Sequence, residues 1–217
     1  MKIFKMACTT ALALLTVMAF AGASSAMAGS TALCDQTPEG GIDFPGGTIL
    51  TGETCPSGHR VTHVHEATLE AVKAKLLTSV LNVECSVLFL GDALGEGLGS
   101  PLIIHGSFTY SNCNANCTAT EENGPAEIKV LRTGHETATV TGEGLVHVEC
   151  KGFINCRYNG VGLQGTAKGW WLSSGAYPNG EVNIQEQTTN KESGFLCPST
   201  AKLDITTTTL ERMFIGT

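Results

Sequence analysis

Three histidines, His59, His63 and His65, stand close together in the stretch HRVTHVHEATLE. On a strand they share one parity, so their imidazoles would line one face, and imidazole nitrogens are ligands for zinc or copper. Convergence on one ion is the difficulty. His63 and His65 lie about 6.6 Å apart along a strand, and His59 roughly 13 Å beyond His63, so the third ring cannot reach without a sharp bend. Arg60, Thr62 and Glu66 take the opposite parity, and a polar edge strand accounts for the same letters. His59, His63 and His65 are therefore the candidate metal residues, with no tight site and no cofactor expected.

The string His63-x-His65-x-x-x-x-Glu70 also echoes the first metal motif of cupins, although Ser57 stands where that motif has a glycine. No second histidine motif surrounds His105, His135 or His147. The stretch VLFLGDALGEG, residues Val87 to Gly97, is one serine short of the block on which GDSL-type esterases mount their nucleophile. Ala93 occupies the serine position and has no group to activate. No aspartate is followed three residues later by the histidine that the mechanism needs. A strand running into a glycine loop explains the block.

Trp170 and Trp171 are candidate ligand-binding residues, since an indole can stack on a sugar ring. Neighbours on a strand point to opposite faces, so one of the two is expected in the core and one at the surface. Glu121 with Glu122, and Glu143 with Glu149, are the carboxylate pairs that glycoside hydrolysis would require. On the strand faces of an acidic protein such carboxylates usually do no more than face water.

Of nine cysteines, Cys8 sits in an amino-terminal apolar run; the other eight are Cys34, Cys55, Cys85, Cys113, Cys117, Cys150, Cys156 and Cys197. An even number in an exported chain implies disulfides rather than a zinc site, which would need thiolates. FTYSNCNANCTAT and VHVECKGFINCRY each read as two strands joined by a polar loop, with cysteines where strand meets loop. Facing residues of an antiparallel pair are close enough to be bridged, which points to Cys113 with Cys117 and Cys150 with Cys156.

The elements behind these residues follow a period of two. Ala138, Val140, Val146, Val148 and Cys150 alternate with Thr139, Thr141, Glu143, His147 and Glu149. Similar alternation runs through Leu81 to Phe89, Leu102 to Tyr110, Ile128 and Val130, Val182 and Ile184, and Ala201 to Ile205. Half-buried antiparallel strands have this pattern. After Cys156 and Tyr158 the parity switches to Val161 and Leu163, which predicts a β-bulge. The fold expected is all-β, an antiparallel sandwich or partly open barrel of about eight to ten strands, stabilised by disulfides. In EATLEAVKAKLLTSVL, Leu69, Val72, Leu76 and Val80 follow a helical stripe, and both helix and strand remain open for residues 66–80.

Lys2 and Lys5, the apolar run from Met6 to Ala21 and the ending Ala26-Met27-Ala28 read as a secretory signal peptide over residues 1–28. Residues 29–217 then form a single domain. Without Lys2 and Lys5 the net charge of −7 becomes −9. An acidic chain with no basic cluster is not built for nucleic acid or for anionic membrane.

The order of features is Cys34, then Val83-x-Cys85, Phe108-x-Tyr110-x-x-Cys113-x-x-x-Cys117, Val146-x-Val148-x-Cys150-x-Gly152, Cys156-x-Tyr158 and Cys197-Pro198-x-x-Ala201. It resembles a group of secreted, cysteine-rich proteins of soil bacteria, actinobacteria especially. The resemblance implies an exported β fold and carries over no catalytic residues. With no complete catalytic set, the expectation is a non-enzymatic secreted or cell-envelope module, structural or ligand-binding, whose partner is an extracellular or envelope ligand. The alternatives are a histidine-based metal protein and a carbohydrate-binding or carbohydrate-active one.

Overall fold

The computed structural model describes residues 29–35, 54–55, 60–68, 72–134, 136–152, 154–169, 179–210 and 213–217. The residues read as a signal peptide lie outside them. The described strands are β1 (Thr31–Asp35), β2 (His63–Ala67), β3 (Ala74–Leu77), β4 (Asn82–Ala93), β5 (Leu98–Gly99) and β6 (Leu102–Ser111). They continue with β7 (Cys117–Gly134), β8 (Thr137–Cys150), β9 (Ile154–Lys168), β10 (Glu181–Phe195), β11 (Thr200–Thr209) and β12 (Met213–Gly216). No α-helix occurs among the described residues.

Every pairing is antiparallel, and the large sheet runs β10-β9-β8-β7-β6-β4 and then through β2 and β3 to β11. The circuit closes because β10 also pairs with β11, over Glu181–Asn190 against Thr200–Thr208. Strands β2 and β3 share one stave: β2 lies between the ends Leu88–Asp92 of β4 and Thr208–Thr209 of β11, and β3 between Asn82–Cys85 and Lys202–Asp204. The result is a closed eight-stave barrel: of the sandwich and the partly open barrel expected, it is a barrel, and one whose sheet closes. Alternation of apolar and polar residues is the same in both architectures. Closure depends on one long-range pairing and on strands long enough to coil, 14 to 18 residues in β7 and β8.

The inward residues are those of the sequence pattern. Val83, Cys85, Val87 and Phe89 on β4, Leu102 and Ile104 on β6, Val140 and Val148 on β8, and Ile184 and Ile205 on β10 and β11 are buried. The expected bulge is present: Val161 and Gly162 of β9 stand against the single residue Glu143 of β8. Gly162 has φ +66°, a conformation that suits a residue without Cβ. Val161 is 67% exposed, so the bulge turns it outward while Leu163 resumes the inward face.

The helical stripe of residues 66–80 holds no helix among its described residues. Residues 63–67 and 74–77 are strands, Val72 and Val80 are exposed, and Leu69 lies outside the described residues. Between β4 and β11 this segment's amides and carbonyls meet partners on two sides, which outweighs a modest helical preference.

The two ends of the barrel are closed differently. At one, β12, β1 and β5 form a small sheet, and Leu33 and Ile215 from it pack on Val64, Phe89, Leu102, Val130 and Val140. The Cys34–Cys55 bridge and Phe214 lie within this plug. At the other, three bridges gather among Leu76, Val83, Val148 and Tyr158: Cys85–Cys113, Cys117–Cys150 and Cys156–Cys197.

The local pairs Cys113–Cys117 and Cys150–Cys156 are thus both wrong. Strands flank each loop as expected, but the residues that face one another are different ones. Cys117 opens β7 directly opposite Cys150 of β8, with Cα atoms 4.0 Å apart. Across β8 and β9, Cys150 faces Ile154 and Cys156 faces Val148, a stagger of two residues. Diagonal neighbours of that kind are about 7 to 8 Å apart, too far for a bridge. Cys156 instead faces Gly194 of β10 and reaches Cys197 just beyond it. Four disulfides fit an oxidising compartment.

Candidate functional site: the barrel lumen

Small residues leave the middle of the barrel unfilled. Ala74, Ala119, Gly142, Gly144 and Gly160, from four different staves, all line one void inside the wall. Its volume is about 80 Å³, and the lining is apolar apart from a few groups considered below. A second void of about 60 Å³ lies toward the plug, lined by Leu33, Phe89, Ile104, Val140, Ala167 and Ile215 among others. Phe108, Ile128, Ile184 and Ile205 border both, so four side chains from four staves form a septum between two stacked chambers. Protein cores seldom hold voids larger than a water molecule. Eight staves are wide enough either to be filled by side chains or to enclose one small ligand.

Aromatic rings run along one wall. Phe89 and Phe108 have centroids 4.8 Å apart, and Phe108 and Tyr110 6.4 Å. A Cβ at Gly106 would meet the Phe89 ring at 2.4 Å, so glycine there is what lets this ring lie against β6.

Two carboxyls stand in this apolar interior. Glu66 follows the parity of buried Val64 and lines the plug-side chamber, accepting a 2.7 Å hydrogen bond from the Thr207 hydroxyl. Enclosure pushes its pKa up, and the Thr207 bond only partly opposes this. Glu121 follows the parity of buried Cys117 and Ala119 and lines the other chamber. Its Oε2 accepts the Phe108 N–H at 2.9 Å, whereas its buried Oε1 has no hydrogen-bond partner among the described residues. Desolvation raises its pKa, with the N–H groups of Phe108 and Ala126 acting in the other direction. Tyr110 is raised too, by burial first and then by the charge of Glu121, and its hydroxyl makes no hydrogen bond among the described residues.

Both acids make stability fall with rising pH. A folded pKa above the ordinary 4.5 means that, from pH 4.5 up to the folded value, the native state holds more protons than the unfolded one. The stabilisation is complete below that window and is lost as pH rises through it. Glu66→Gln keeps an oxygen for Thr207 and removes the titration. In urea melts it is expected to be more stable than wild type at about pH 8 and to lose less stability between about pH 4.5 and 8. A pH dependence identical to wild type would contradict the enclosure of Glu66.

The residues singled out from sequence fall elsewhere. His63 and His65 take the outward parity of β2, opposite to Val64 and Glu66. His63 is exposed and bonds Asp92 through Nδ1 at 2.6 Å. No cluster of metal-ligating side chains occurs among the described residues, and His59, Trp170 and Trp171 lie outside them. The polar stretch is not an edge strand, because β2 is paired on both sides. Ala93 is buried in the core around Val64, and a 3-10 turn over Gly95–Gly97 follows it. Glu121 and Glu122 point to opposite sides of β7 and cannot flank one bond. The Arg157 guanidinium, bonded at 2.6 and 3.2 Å, holds the outer Glu122 below the usual carboxylate range. Glu143 and Glu149 are exposed.

Sequence reasoning missed Glu66, Glu121, Phe108 and Tyr110 as a set. Their parity was the available signal, since each sits where its strand otherwise places core residues. Comparison with family models, with curated proteins and with solved structures finds no match.

Proposed function

We propose that this is an exported, non-enzymatic binding protein that holds one small apolar molecule inside its barrel. The observation that carries the reading is the pair of stacked apolar chambers separated only by four side chains. A concave, mostly apolar enclosure with a few placed polar groups is the usual form of a small-molecule site. Disulfides at both ends hold the wall around it. The outward faces carry residues such as Lys75, His105, Glu127, Lys129, Glu149 and Lys202. Polar outside and apolar inside is the reverse of a lipid-embedded barrel and supports a protein that carries its ligand through water.

Thermal unfolding in the presence of octan-1-ol, a neutral chain, tests the reading. A ligand bound only by the native state adds about 2.7 kcal/mol at one hundred times its dissociation constant. For a domain of this size that raises the midpoint by roughly 5 to 10 °C. No rise at any soluble concentration would remove the lumen as a binding site.

A further inference from the structure

From the lining of the chamber that holds Glu121, we infer that the ligand is an apolar amine whose ammonium group is received by this carboxyl. The inference rests on the lumen being the binding site. Glu121 offers a buried oxygen with no hydrogen bond among the described residues, in a chamber lined by Leu145, Val146, Leu203 and Ile205. An unmet acceptor in an apolar lining calls for a donor, and an ionised acceptor is best met by a charged one. Phe108, Tyr110 and Tyr158 line the same chamber, and aromatic faces attract cations.

No side-chain cation of the protein fills that place among the described residues. Lys75 borders the chamber, but its ammonium lies 3.7 Å from Glu84, with which it pairs across β3 and β4. Glu143, also at the border, is exposed on β8. Arg132 is buried further along β7 and lines neither chamber. The plug-side chamber is a poorer receptor, because the Glu66 carboxyl already has the Thr207 hydroxyl. A carboxylate ligand of the same length would bring a second negative charge beside Glu121 in a medium of low dielectric, where like charges repel strongly.

Calorimetric titration of the intact protein at neutral pH with hexylamine, hexan-1-ol and hexanoate, repeated on Glu121→Gln, tests this. Hexylamine is expected to bind at least tenfold more tightly than hexanoate. Glu121→Gln is expected to weaken hexylamine at least tenfold while leaving hexan-1-ol within about twofold, which also shows that the variant is folded. Hexanoate binding as well as hexylamine overturns the inference, and does so on wild-type protein alone. Unchanged hexylamine affinity in Glu121→Gln overturns it as well. If hexan-1-ol binds and hexylamine does no better, the lumen site stands and the amine does not; if none of the three binds, both fall.

Discussion

Replacing Cys117 and Cys150 together by alanine is expected to lower the unfolding free energy by about 3 to 4 kcal/mol. The bridge closes a loop of 33 residues, between the 15-residue loop worth ~3 kcal/mol and the 100-residue loop worth ~4.7 in the chain-entropy model. Strand pairing by itself sets Cys117 opposite Cys150. The bridge also fixes register where threonine and glycine specify it weakly, as in Thr118 opposite Glu149 and Thr120 opposite His147. Urea unfolding of the double variant under non-reducing conditions should show the lowered midpoint. A loss under about 1 kcal/mol, or peptide maps that join Cys117 to Cys113, would contradict the placement.

How far the fold is legible in the sequence follows from what a two-residue period carries. It states which side chains point inward, so those of Val83 to Phe89, of Ala138, Val140, Val148 and Cys150, and of Ala201 to Ile205 follow from it, while Leu145 is buried on the other parity. The bulge after Tyr158 was readable because it reverses that parity. Closure was not, because pairing of β10 with β11 is a relation between strands that leaves no mark within either. Disulfide pairing failed for the same reason: a shift of two residues between β8 and β9 separates Cys150 from Cys156 while preserving every parity.

The candidate site was obscured by chemistry rather than by pattern. Histidines and tryptophans attract notice because their side chains can ligate or stack, whereas carboxylates in an acidic chain are normally solvent-facing. Glu121 shares parity with Cys117 and Ala119, and the positive-φ residues Asn123 and Gly124 then shift the inward set to Ala126, Ile128 and Val130. An acid on the core side of a strand, just before such a turn, is what the sequence had to show.

Ala119→Leu is expected to abolish binding at the cost of little stability. Ala119 lines the larger chamber on β7, and leucine adds three carbon atoms there. In a fully packed core that addition forces neighbours off their rotamers and costs about 1 to 3 kcal/mol. In a hollow one the new methyls take up empty volume and gain contacts, so the change in unfolding free energy should stay within about 1 kcal/mol. The same atoms occupy the space that a ligand needs.

The most direct test of the hollow, ligand-holding barrel is therefore calorimetric titration of wild type and Ala119→Leu with octan-1-ol. The expected result is saturable binding at a single site in wild type and at least a tenfold loss in the variant, with both proteins showing the same β spectrum by circular dichroism. Saturable binding that persists undiminished in Ala119→Leu, or none in wild type, would contradict it.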